Sequence, residues 1–249
     1  MMKIALIGYG AMGKEIHGLA EAHGCTVVQI FDADNPLSNA DFASWDVAVD
    51  FSSADAIVAN VELLCSMKKN MVIGTTGWNS QQERIHNTIS KAGVGCVVGS
   101  NFSVGMQIFL RLTRTAAALL NSTPDYDIMV HEWHHKRKAD SPSGTALTIA
   151  NIVISELDRK KHVATETMHQ PADPEVLHVT STRGGEIPGR HTVTIDGPFD
   201  RIDLIHDARN RSGFASGALR AAQWIHGKNG LYRFEDIFSH MNNSSNEDC

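Results

Sequence analysis

The sequence feature that most constrains the fold is a glycine-rich turn between two short apolar runs near the start of the chain. The first run, Lys3–Ile7, leads directly into the turn Gly8-Tyr9-Gly10-Ala11-Met12-Gly13. Apolar residues three and four positions apart then predict a helix, and the second run, Thr26–Phe31, ends at Asp32. Two strands joined through a helix form a βαβ unit, whose strands are parallel. The chain therefore begins with part of a parallel sheet.

The turn also predicts a ligand. Glycines cluster in many turns, but here GxGxxG stands between a strand and a helix, and an acid closes the second strand about 20 residues later. The glycines let the backbone approach a pyrophosphate, the helix start faces its charge, and the acid accepts hydrogen bonds from a ribose. We expect a dinucleotide to contact the following residues: Gly8, Tyr9, Gly10, Ala11, Met12, Gly13 and Asp32. The alternative is a glycine-rich turn that binds nothing.

The residues after Asp32 bear on which dinucleotide binds. Asp32 is followed by Ala33 and Asp34, with no lysine or arginine beside them. Two carboxylates repel the 2′-phosphate that distinguishes NADPH from NADH. The sequence therefore favours NADH, although a basic residue from elsewhere in the chain would reverse this preference.

Three more apolar runs follow, separated by helical patterns: Asp46–Phe51, Met71–Ile73 and Gly95–Val98. Apolar strands without alternation are typical of a parallel sheet covered by helices on both faces. Such sheets bind ligands at the carboxyl ends of their strands. We therefore expect the turns after the last two runs to extend the dinucleotide site, through Gly74, Thr75, Thr76, Gly99, Ser100, Asn101 and Phe102. Ordinary turn chemistry is the alternative for these residues.

The second half of the chain has a different pattern. An amphipathic helix from Gly105 to Leu120 and a short strand at Asp127–Val130 precede three β-rich runs, at residues 176–182, 191–196 and 201–206. The last two are close enough in sequence to form an antiparallel hairpin. The predicted fold class is α/β: a Rossmann-like parallel-sheet nucleotide domain plus an α+β domain with an open mixed sheet. One face of an open sheet lacks internal cover, which favours self-association.

A histidine-rich stretch, His131–Thr145, places three histidines and three basic residues within eight positions of a chain whose net charge is −6. A solvated basic loop is the ordinary fate of such a run. A metal site is the second interpretation, because the stretch begins with the H-E-x-x-H pattern. That pattern requires a helix, whereas the run before it predicts a strand, in which His131 and His135 would lie roughly 13 Å apart. We therefore expect no metal.

The third interpretation is acid–base chemistry on an anionic ligand. Adjacent side chains at the end of a strand point to opposite sides, so His134 can donate a proton while His135 binds a negative group. Lys138 adds a positive charge with up to three hydrogen-bond donors. Gly144 and Thr145 stand at the start of a predicted helix, where backbone N–H groups and the helix dipole attract anions.

Charge and composition argue against several classes of protein. An isoelectric point near 6.1 disfavours a nucleic-acid binder, and no apolar run approaches the length of about 18 residues that suggests a membrane span. The first residues lack the features of a signal peptide. Four cysteines without CxxC spacing fit reduced thiols in a cytoplasmic protein. The last residues, 242–249, have the composition of a disordered tail.

Together these motifs resemble the dihydrodipicolinate reductase family, also called 4-hydroxy-tetrahydrodipicolinate reductases, of lysine and diaminopimelate biosynthesis. The most specific motif is E-x-H-H-x-x-K-x-D-x-P-S-G-T-A, which spans Glu132–Ala146. The segments Gly74–Gly77, Asn101–Gly105 and Arg183–Gly189 resemble the family as well, in the same order along the chain. The resemblance covers nearly the whole sequence.

The resemblance implies an oxidoreductase that transfers a hydride from NADH or NADPH to a cyclic imine-type dicarboxylate, with loss of water from its 4-hydroxy form. It places His134 at the general acid/base position and Lys138 at that of a second proton donor. It places His135 at a substrate contact, and Gly144 with Thr145 where backbone amides bind a substrate carboxylate. Which of His134 and Lys138 delivers the proton stays open.

The family also implies a domain organisation. Residues 1–102 and 214–249 would form the dinucleotide-binding domain, and residues 103–213 the substrate-binding and oligomerisation domain of a homotetramer. One departure from the family is Trp133, which stands where a small residue is typical. We expect this side chain to pack under the following loop.

Two other classes of function remain open from the sequence. Another dehydrogenase of the same layout would need a different catalytic centre, and no nucleophilic-cysteine motif lies near the predicted nicotinamide turns. A non-catalytic NAD-binding sensor would keep the first domain, but it would have no use for His-His-x-x-Lys beside a helix start. Turnover of the family's substrate separates the three classes, whereas NADH binding does not.

Overall fold

The computed structural model describes residues 1–241, with side chains described as far as residue 238. The predicted tail, residues 242–249, lies outside the described residues. The chain divides into two compact units. The first holds Met1–Val104 and the segment that begins at Arg211, and the second holds Gly105–Asn210.

Strands and helices alternate in the first unit, and consecutive strands dominate the second. The strands are β1 (Met2–Ile7), β2 (Cys25–Phe31), β3 (Val47–Asp50), β4 (Asn70–Ile73), β5 (Gly95–Val98), β6 (Asp127–His134), β7 (His162–Ala164), β8 (Val176–Arg183), β9 (Arg190–Asp196), β10 (Arg201–Asp207) and β11 (Gly230–Arg233). The helices are α1 (Ala11–Ala20), α2 (Ile57–Ser66), α3 (Gln82–Ala92), α4 (Val104–Leu119), α5 (Gly144–Glu156), α6 (Ser212–Ile225) and α7 (Phe234–Met241).

The first unit contains a six-stranded parallel sheet in the order β11-β5-β4-β3-β1-β2. One apolar core joins the sheet to α1 and α6, and a second core on the opposite face joins it to α2 and α3. All four residues of β3 are buried because helices cover both faces of this central strand. The predicted parallel sheet with two covered faces is confirmed.

One strand of this sheet was missed by the sequence pattern. β11 has four residues and pairs with β5 from Gly230 opposite Gly95. Its side chains are half-buried or exposed because it lies at the edge of the sheet. A short edge strand carries too few apolar residues to show a period.

The second unit contains a five-stranded mixed sheet in the order β10-β9-β6-β8-β7. β9 runs antiparallel to β6 and β10, whereas β8 runs parallel to β6 and β7. Apolar side chains on one face of β6, β8 and β9 pack against α4 and α5. The predicted mixed sheet is confirmed, and β7 is a further edge strand that the sequence pattern did not predict.

The other face of the mixed sheet carries exposed apolar side chains. Met129, Trp133 and Ile205 are 39%, 40% and 48% exposed. The expectation that Trp133 packs under the following loop is wrong, because alternation along β6 turns it away from the core. Its indole donates to His131, and its ring lies 5.4 Å from the guanidinium carbon of Arg190.

None of the helices within the described residues is both long and apolar enough to cross a membrane.

Candidate active site

The glycine-rich turn has the close backbone packing of a dinucleotide site. Gly8 has a φ of +90°, and a Cβ there would lie 2.4 Å from the carbonyl oxygen of Phe51. A Cβ at Gly13 would lie 2.2 Å from the carbonyl oxygen of Gly8, and one at Gly74 would lie 2.2 Å from the Phe51 ring. Gly10 instead has open space on its Cβ side, directly before α1. The turn therefore fits a pyrophosphate at the start of α1.

The side chains between these glycines leave mainly backbone groups for a ligand. Tyr9 and Met12 pack partly against the core, and the Tyr9 hydroxyl bonds to Nδ1 of His17 at 2.7 Å. Ala11 is exposed at the first position of α1.

Asp32 is held in place at the end of β2. The Gly8 N–H donates to the carbonyl of Phe31 at 2.8 Å, which brings the end of β2 beside the glycine-rich turn. Oδ1 of Asp32 accepts the backbone N–H groups of Asp34 and Asn35, both at 3.0 Å. The carboxylate is exposed and fixed, as a group that accepts hydrogen bonds from a ribose must be.

A buried carboxylate outside the predicted site residues connects the loops after β3 and β4. Asp50 is fully buried at the end of β3, and its Oδ1 accepts the Ser52 N–H at 2.9 Å and the Thr75 hydroxyl at 2.8 Å. Its Oδ2 accepts the side-chain amide of Asn60 at 2.9 Å. Thr75 thus uses its side chain inside the protein, whereas Thr76 is exposed. The sequence signal is an acid that ends an otherwise apolar strand.

The turn after β5 presents different groups. Ser100 is exposed, and Gly99 and Asn101 are half-buried. Phe102 is buried, and the centre of its ring lies 4.7 Å from that of Phe234. The Phe102 ring therefore belongs to the core, which leaves only the backbone of this residue for a cofactor.

In the second unit, β6 brings part of the histidine-rich stretch into a buried region. The alternation of the strand turns Glu132 and His134 to the covered face, and His131 and Trp133 to the other. The segment is a strand, as predicted. The H-E-x-x-H pattern therefore lacks the helix on which the zinc motif depends.

Glu132 is the centre of a polar network on this covered face. Its Oε1 accepts the Ser143 N–H at 2.8 Å, the Ser181 hydroxyl at 2.9 Å and the Arg183 guanidinium at 2.7 Å. Its Oε2 accepts the Ser143 hydroxyl and lies close to His134 and His191. Burial acts to raise the pKa of Glu132, but hydrogen bonds from His191, Ser143 and Arg183 outweigh it and hold that pKa well below its usual range. The side chain is a carboxylate anion with no exposure to solvent.

His134 is a neutral imidazole in the ligand-free protein at neutral pH. Burial lowers its pKa to about 4, against the opposing effect of Glu132, and His191, Lys138 and Arg183 add to the lowering. A negatively charged ligand nearby would raise this pKa, because it stabilises the imidazolium form. An anion bound beside His134 would therefore favour the uptake of a proton by its imidazole.

Lys138 lies on the loop between β6 and α5. Its Nζ is 2.8 Å from Oδ1 of Asp140. The hydrogen bond from Lys138 lowers the pKa of Asp140, and the backbone N–H of Gly144 contributes in the same direction. One carboxylate is thus already held between this cation and the helix start, which is the environment that a ligand carboxylate would need.

The start of α5 is where the sequence predicts it. The helix begins at Gly144, and the Ser143 side chain caps it by accepting the Ala146 N–H at 3.1 Å. Gly144 is exposed and Thr145 is half-buried. Both residues lie in the first turn, at the positive end of the helix dipole.

Several buried nitrogens of the second unit have no hydrogen-bond partner among the described residues. They are His134 Nδ1, His135 Nδ1, Arg183 Nε, His191 Nδ1 and His206 Nδ1. His134 Nδ1 approaches Glu132 without the alignment of a hydrogen bond. Unpaired buried polar groups are costly, so this concentration of nitrogen atoms suits a ligand that brings acceptor oxygens.

Three residues of this network, Glu132, Arg183 and His191, are not among the site residues that the sequence predicts. These residues come from β6, β8 and β9, and only the sheet brings them together. A signal exists for His191, which shares its side of β9 with Val193 and Ile195 and is therefore a polar residue in an apolar register.

Two family models match the chain and together cover nearly its whole length. A model described as dihydrodipicolinate reductase, N-terminus, matches residues 2–102. A model described as dihydrodipicolinate reductase, C-terminus, matches residues 105–238. The chain belongs to the dihydrodipicolinate reductase family. The family that the motifs indicated is thereby confirmed.

Full-length relatives agree with this family. The 4-hydroxy-tetrahydrodipicolinate reductase of Christiangramia forsetii is 33% identical over 242 residues, which are 96% of this chain and 99% of the relative. The enzyme of the same name from Methanoregula boonei is 43% identical over 194 residues, which are 77% of this chain and 74% of the relative.

Solved structures share the fold. A dipicolinate-bound dihydrodipicolinate reductase from Paenisporosarcina sp. TG-14 superposes with a TM-score of 0.74 at 23% identity, and the match covers 95% of this chain and 99% of that one. An engineered D-amino acid dehydrogenase superposes with a TM-score of 0.56 at 16% identity over the whole of both chains. At these identities the likeness concerns the fold, and it supports the predicted fold class.

Proposed function

We propose that the chain catalyses the NAD(P)H-dependent reduction of 4-hydroxy-tetrahydrodipicolinate to tetrahydrodipicolinate, with loss of water, in lysine and diaminopimelate biosynthesis. Relatives that match nearly the whole chain bear the corresponding name. The observation that carries the proposal is the buried imidazole of His134, which lies against Glu132 and within the electrostatic influence of Lys138. A chain that only bound a dinucleotide would not need such an acid–base group in its second unit.

The cofactor would be bound by the first unit. When bound, the reduced nicotinamide supplies the hydride. The turn Gly8–Gly13 suits the pyrophosphate, and Asp32 suits the adenosine ribose. The turns after β4 and β5 suit the nicotinamide part of the dinucleotide. They contribute Gly74, Thr75, Thr76, Gly99, Ser100, Asn101 and the backbone of Phe102.

The substrate would be bound by the second unit. The N–H groups of Gly144 and Thr145 bind one carboxylate at the start of α5, and His135 donates to the substrate from the adjacent loop. The charge of the bound dicarboxylate raises the pKa of His134, so the imidazole takes up a proton. Reduction leaves a negative charge on the substrate, which His134 neutralises by giving up that proton while Lys138 stabilises the charge.

A coupled initial-rate assay tests this function. 4-Hydroxy-tetrahydrodipicolinate is generated enzymatically in the cuvette, and the loss of NADH or NADPH is followed by absorbance. Saturable oxidation that depends on the substrate is the expected result. A folded preparation that binds NADH and shows no oxidation of either cofactor would contradict the proposal.

We also propose that NADH is the preferred cofactor, because Asp32 and Asp34 are exposed carboxylates at the ribose position. Asp32→Ala should weaken NADH binding by about 10–100-fold, since it removes a charged hydrogen-bond acceptor, and weaken NADPH binding less. Dissociation constants from fluorescence titration give this comparison.

Two further variants serve as controls for Asp32→Ala. Asp32→Asn removes the charge but can still accept the backbone N–H groups of the loop, so it separates the loss of charge from the loss of these hydrogen bonds. Asp34→Ala should leave NADH affinity within about threefold, because we expect Asp34 to repel the 2′-phosphate of NADPH and not to bind the ribose of NADH. Equal losses for both cofactors in Asp32→Ala would contradict the ribose role.

We propose further that the uncovered face of the mixed sheet forms the contacts of a homotetramer. Met129, Trp133 and Ile205 expose apolar surface on that face, which favours burial against other copies. Sedimentation equilibrium should give four times the chain mass of 27.2 kDa. Ile205→Glu should lower that mass, whereas Leu119→Glu, on an exposed position of α4, should not. An unchanged mass for Ile205→Glu would contradict this interface.

A cytoplasmic location is the last part of the proposal. Cys25, Cys65 and Cys96 are free, buried thiols, as expected in a reducing compartment. Burial raises the pKa of each of them, which keeps the unreactive thiol form. Cell fractionation should recover the protein with cytosolic markers.

A further inference from the structure

We propose that Glu132 is a positioning residue for His134, with His191 as a second donor to the same carboxylate oxygen. Glu132 would accept the Nδ1 proton of His134, so that Nε2 is the atom that carries the transferred proton. This inference rests on the proposed function, because it assumes that His134 is the acid of that reaction.

The imidazoles of His134 and His191 approach the same oxygen of Glu132. Oε2 of Glu132 lies 3.3 Å from Nδ1 of His134 and 3.4 Å from Nε2 of His191. The two rings are nearly perpendicular, at 74°, with their centres 5.2 Å apart. The contact to His134 lacks the alignment of a hydrogen bond. Contacts of catalytic groups often tighten only when the substrate binds.

The carboxylate is held rigidly on its other side. Ser143, Ser181 and Arg183 all donate to Oε1, and the first of these also donates to Oε2 through its hydroxyl. Since Ser143 caps α5, the same carboxylate lies against Nδ1 of the proposed acid and is hydrogen-bonded to the residue that caps the proposed carboxylate-binding helix. Glu132 therefore fixes the position of one relative to the other.

The space around Nε2 of His134 supports this orientation. A Cβ at Gly189 would lie 3.0 Å from Nε2, so any larger residue would fill the space beside that atom. The glycine at this position places no side chain against Nε2, while Nδ1 lies beside the carboxylate. The two nitrogens of the ring thus have separate surroundings, which is what an orienting carboxylate requires.

Glu132, His134 and His191 also have the composition of a metal site. Their ligand atoms lie within 4.8 Å of one another. The Arg183 guanidinium on Oε1 and the Ser143 hydroxyl on Oε2 already occupy the carboxylate, however, and a cation there would lie beside a fixed positive charge. We therefore propose that this cluster orients His134 and does not bind a metal ion.

Charges on every neighbouring element bear on His134. Glu132 on β6 is the one anion among the described groups that act on it, whereas Arg183 on β8, His191 on β9 and Lys138 on the following loop all oppose its protonation. His206 on β10 lies next in line, because it interacts with His191. Removal of the negative charge of Glu132 therefore makes protonation of His134 harder.

The test is the pH dependence of kcat for Glu132→Gln. This change keeps the size of the side chain and removes its charge, and it should lower kcat by about 10²-fold or more. The alkaline limb of the kcat profile, which reports loss of the His134 proton in the substrate complex, should move to lower pH by about one unit. Glu132→Asp keeps the charge, so its limb should stay near that of the unmodified protein while kcat falls less.

A second pair of variants covers the case in which Glu132→Gln does not fold. His191→Gln retains an N–H donor and should keep kcat within about threefold, whereas His191→Phe lacks a donor and should lower it by about tenfold. NADH titration and circular dichroism confirm that each variant is folded.

The outcomes separate this inference from the proposed function. An inactive unmodified protein would remove the proposed function itself. An active protein in which Glu132→Gln lowers kcat equally at every pH would reduce Glu132 to a structural group and overturn the inference. Equal rates for His191→Phe and His191→Gln would likewise remove His191 from the pair.

Discussion

His134→Gln is expected to lower kcat by about 10²–10⁴-fold at neutral pH. Glutamine fills much of the space of the imidazole and forms hydrogen bonds, but it cannot take up and release a proton. The affinity for NADH should stay close to that of the unmodified protein, because the predicted dinucleotide contacts lie in the first unit and His134 lies in the second. Steady-state rates and NADH titration measure the two effects separately.

His162→Gln is the matched control for this variant. His162 is exposed on the edge strand β7, so the same change there should leave kcat within about twofold. If His134→Gln kept full turnover, the proton would have to come from another group, and the assignment of this histidine would fail.

The pKa of His134 gives this prediction a second readout. The imidazole has a pKa of about 4 in the ligand-free protein, mainly because it is buried. The protonated form is the active acid, so the rate falls as pH rises through the relevant pKa. The kcat/KM profile reports the free protein and should decline from low pH. The kcat profile reports the substrate complex, where two carboxylates raise the pKa, and its alkaline limb should therefore lie at higher pH.

The fold of the first unit could be predicted because each local signal agrees with the global structure. The strands are continuous apolar runs, since both faces of the sheet are covered, and glycine-rich turns mark where they end. The edge strands β7 and β11 could not be predicted. Their residues are half-buried or exposed, so burial imposes no pattern on their sequence.

The substrate part of the proposed site could be predicted only where it is continuous in sequence. His134, Lys138 and Gly144 lie within one stretch and could be identified together. The network around Glu132 could not, because Arg183 and His191 reach it through the strand order of the mixed sheet. The orientation of Trp133 was also predicted wrongly. The sequence pattern ended the strand at Val130, whereas β6 continues to His134, and its alternation turns Trp133 away from the core.

Lys138→Ala is expected to lower kcat by about 10²-fold, because it removes a positive charge beside the group that becomes negative. The Lys138 side chain is 24% exposed and ion-paired with Asp140, so it is held at the loop. Lys136→Ala is the matched control, since that lysine is exposed two positions earlier on the same loop, and its kcat should stay within about twofold. Initial rates at saturating substrate give the comparison, and an unaltered rate for Lys138→Ala would remove this lysine from the site.

The pH profile of Lys138→Ala decides which residue delivers the proton. The positive charge of Lys138 lowers the pKa of His134, so its removal should raise that pKa. If His134 is the donor, the slower variant keeps an alkaline limb, and that limb moves to higher pH. If the lysine itself is the donor, the limb that belongs to it disappears from the profile. The buried position of His134 against the Glu132 carboxylate supports the first result.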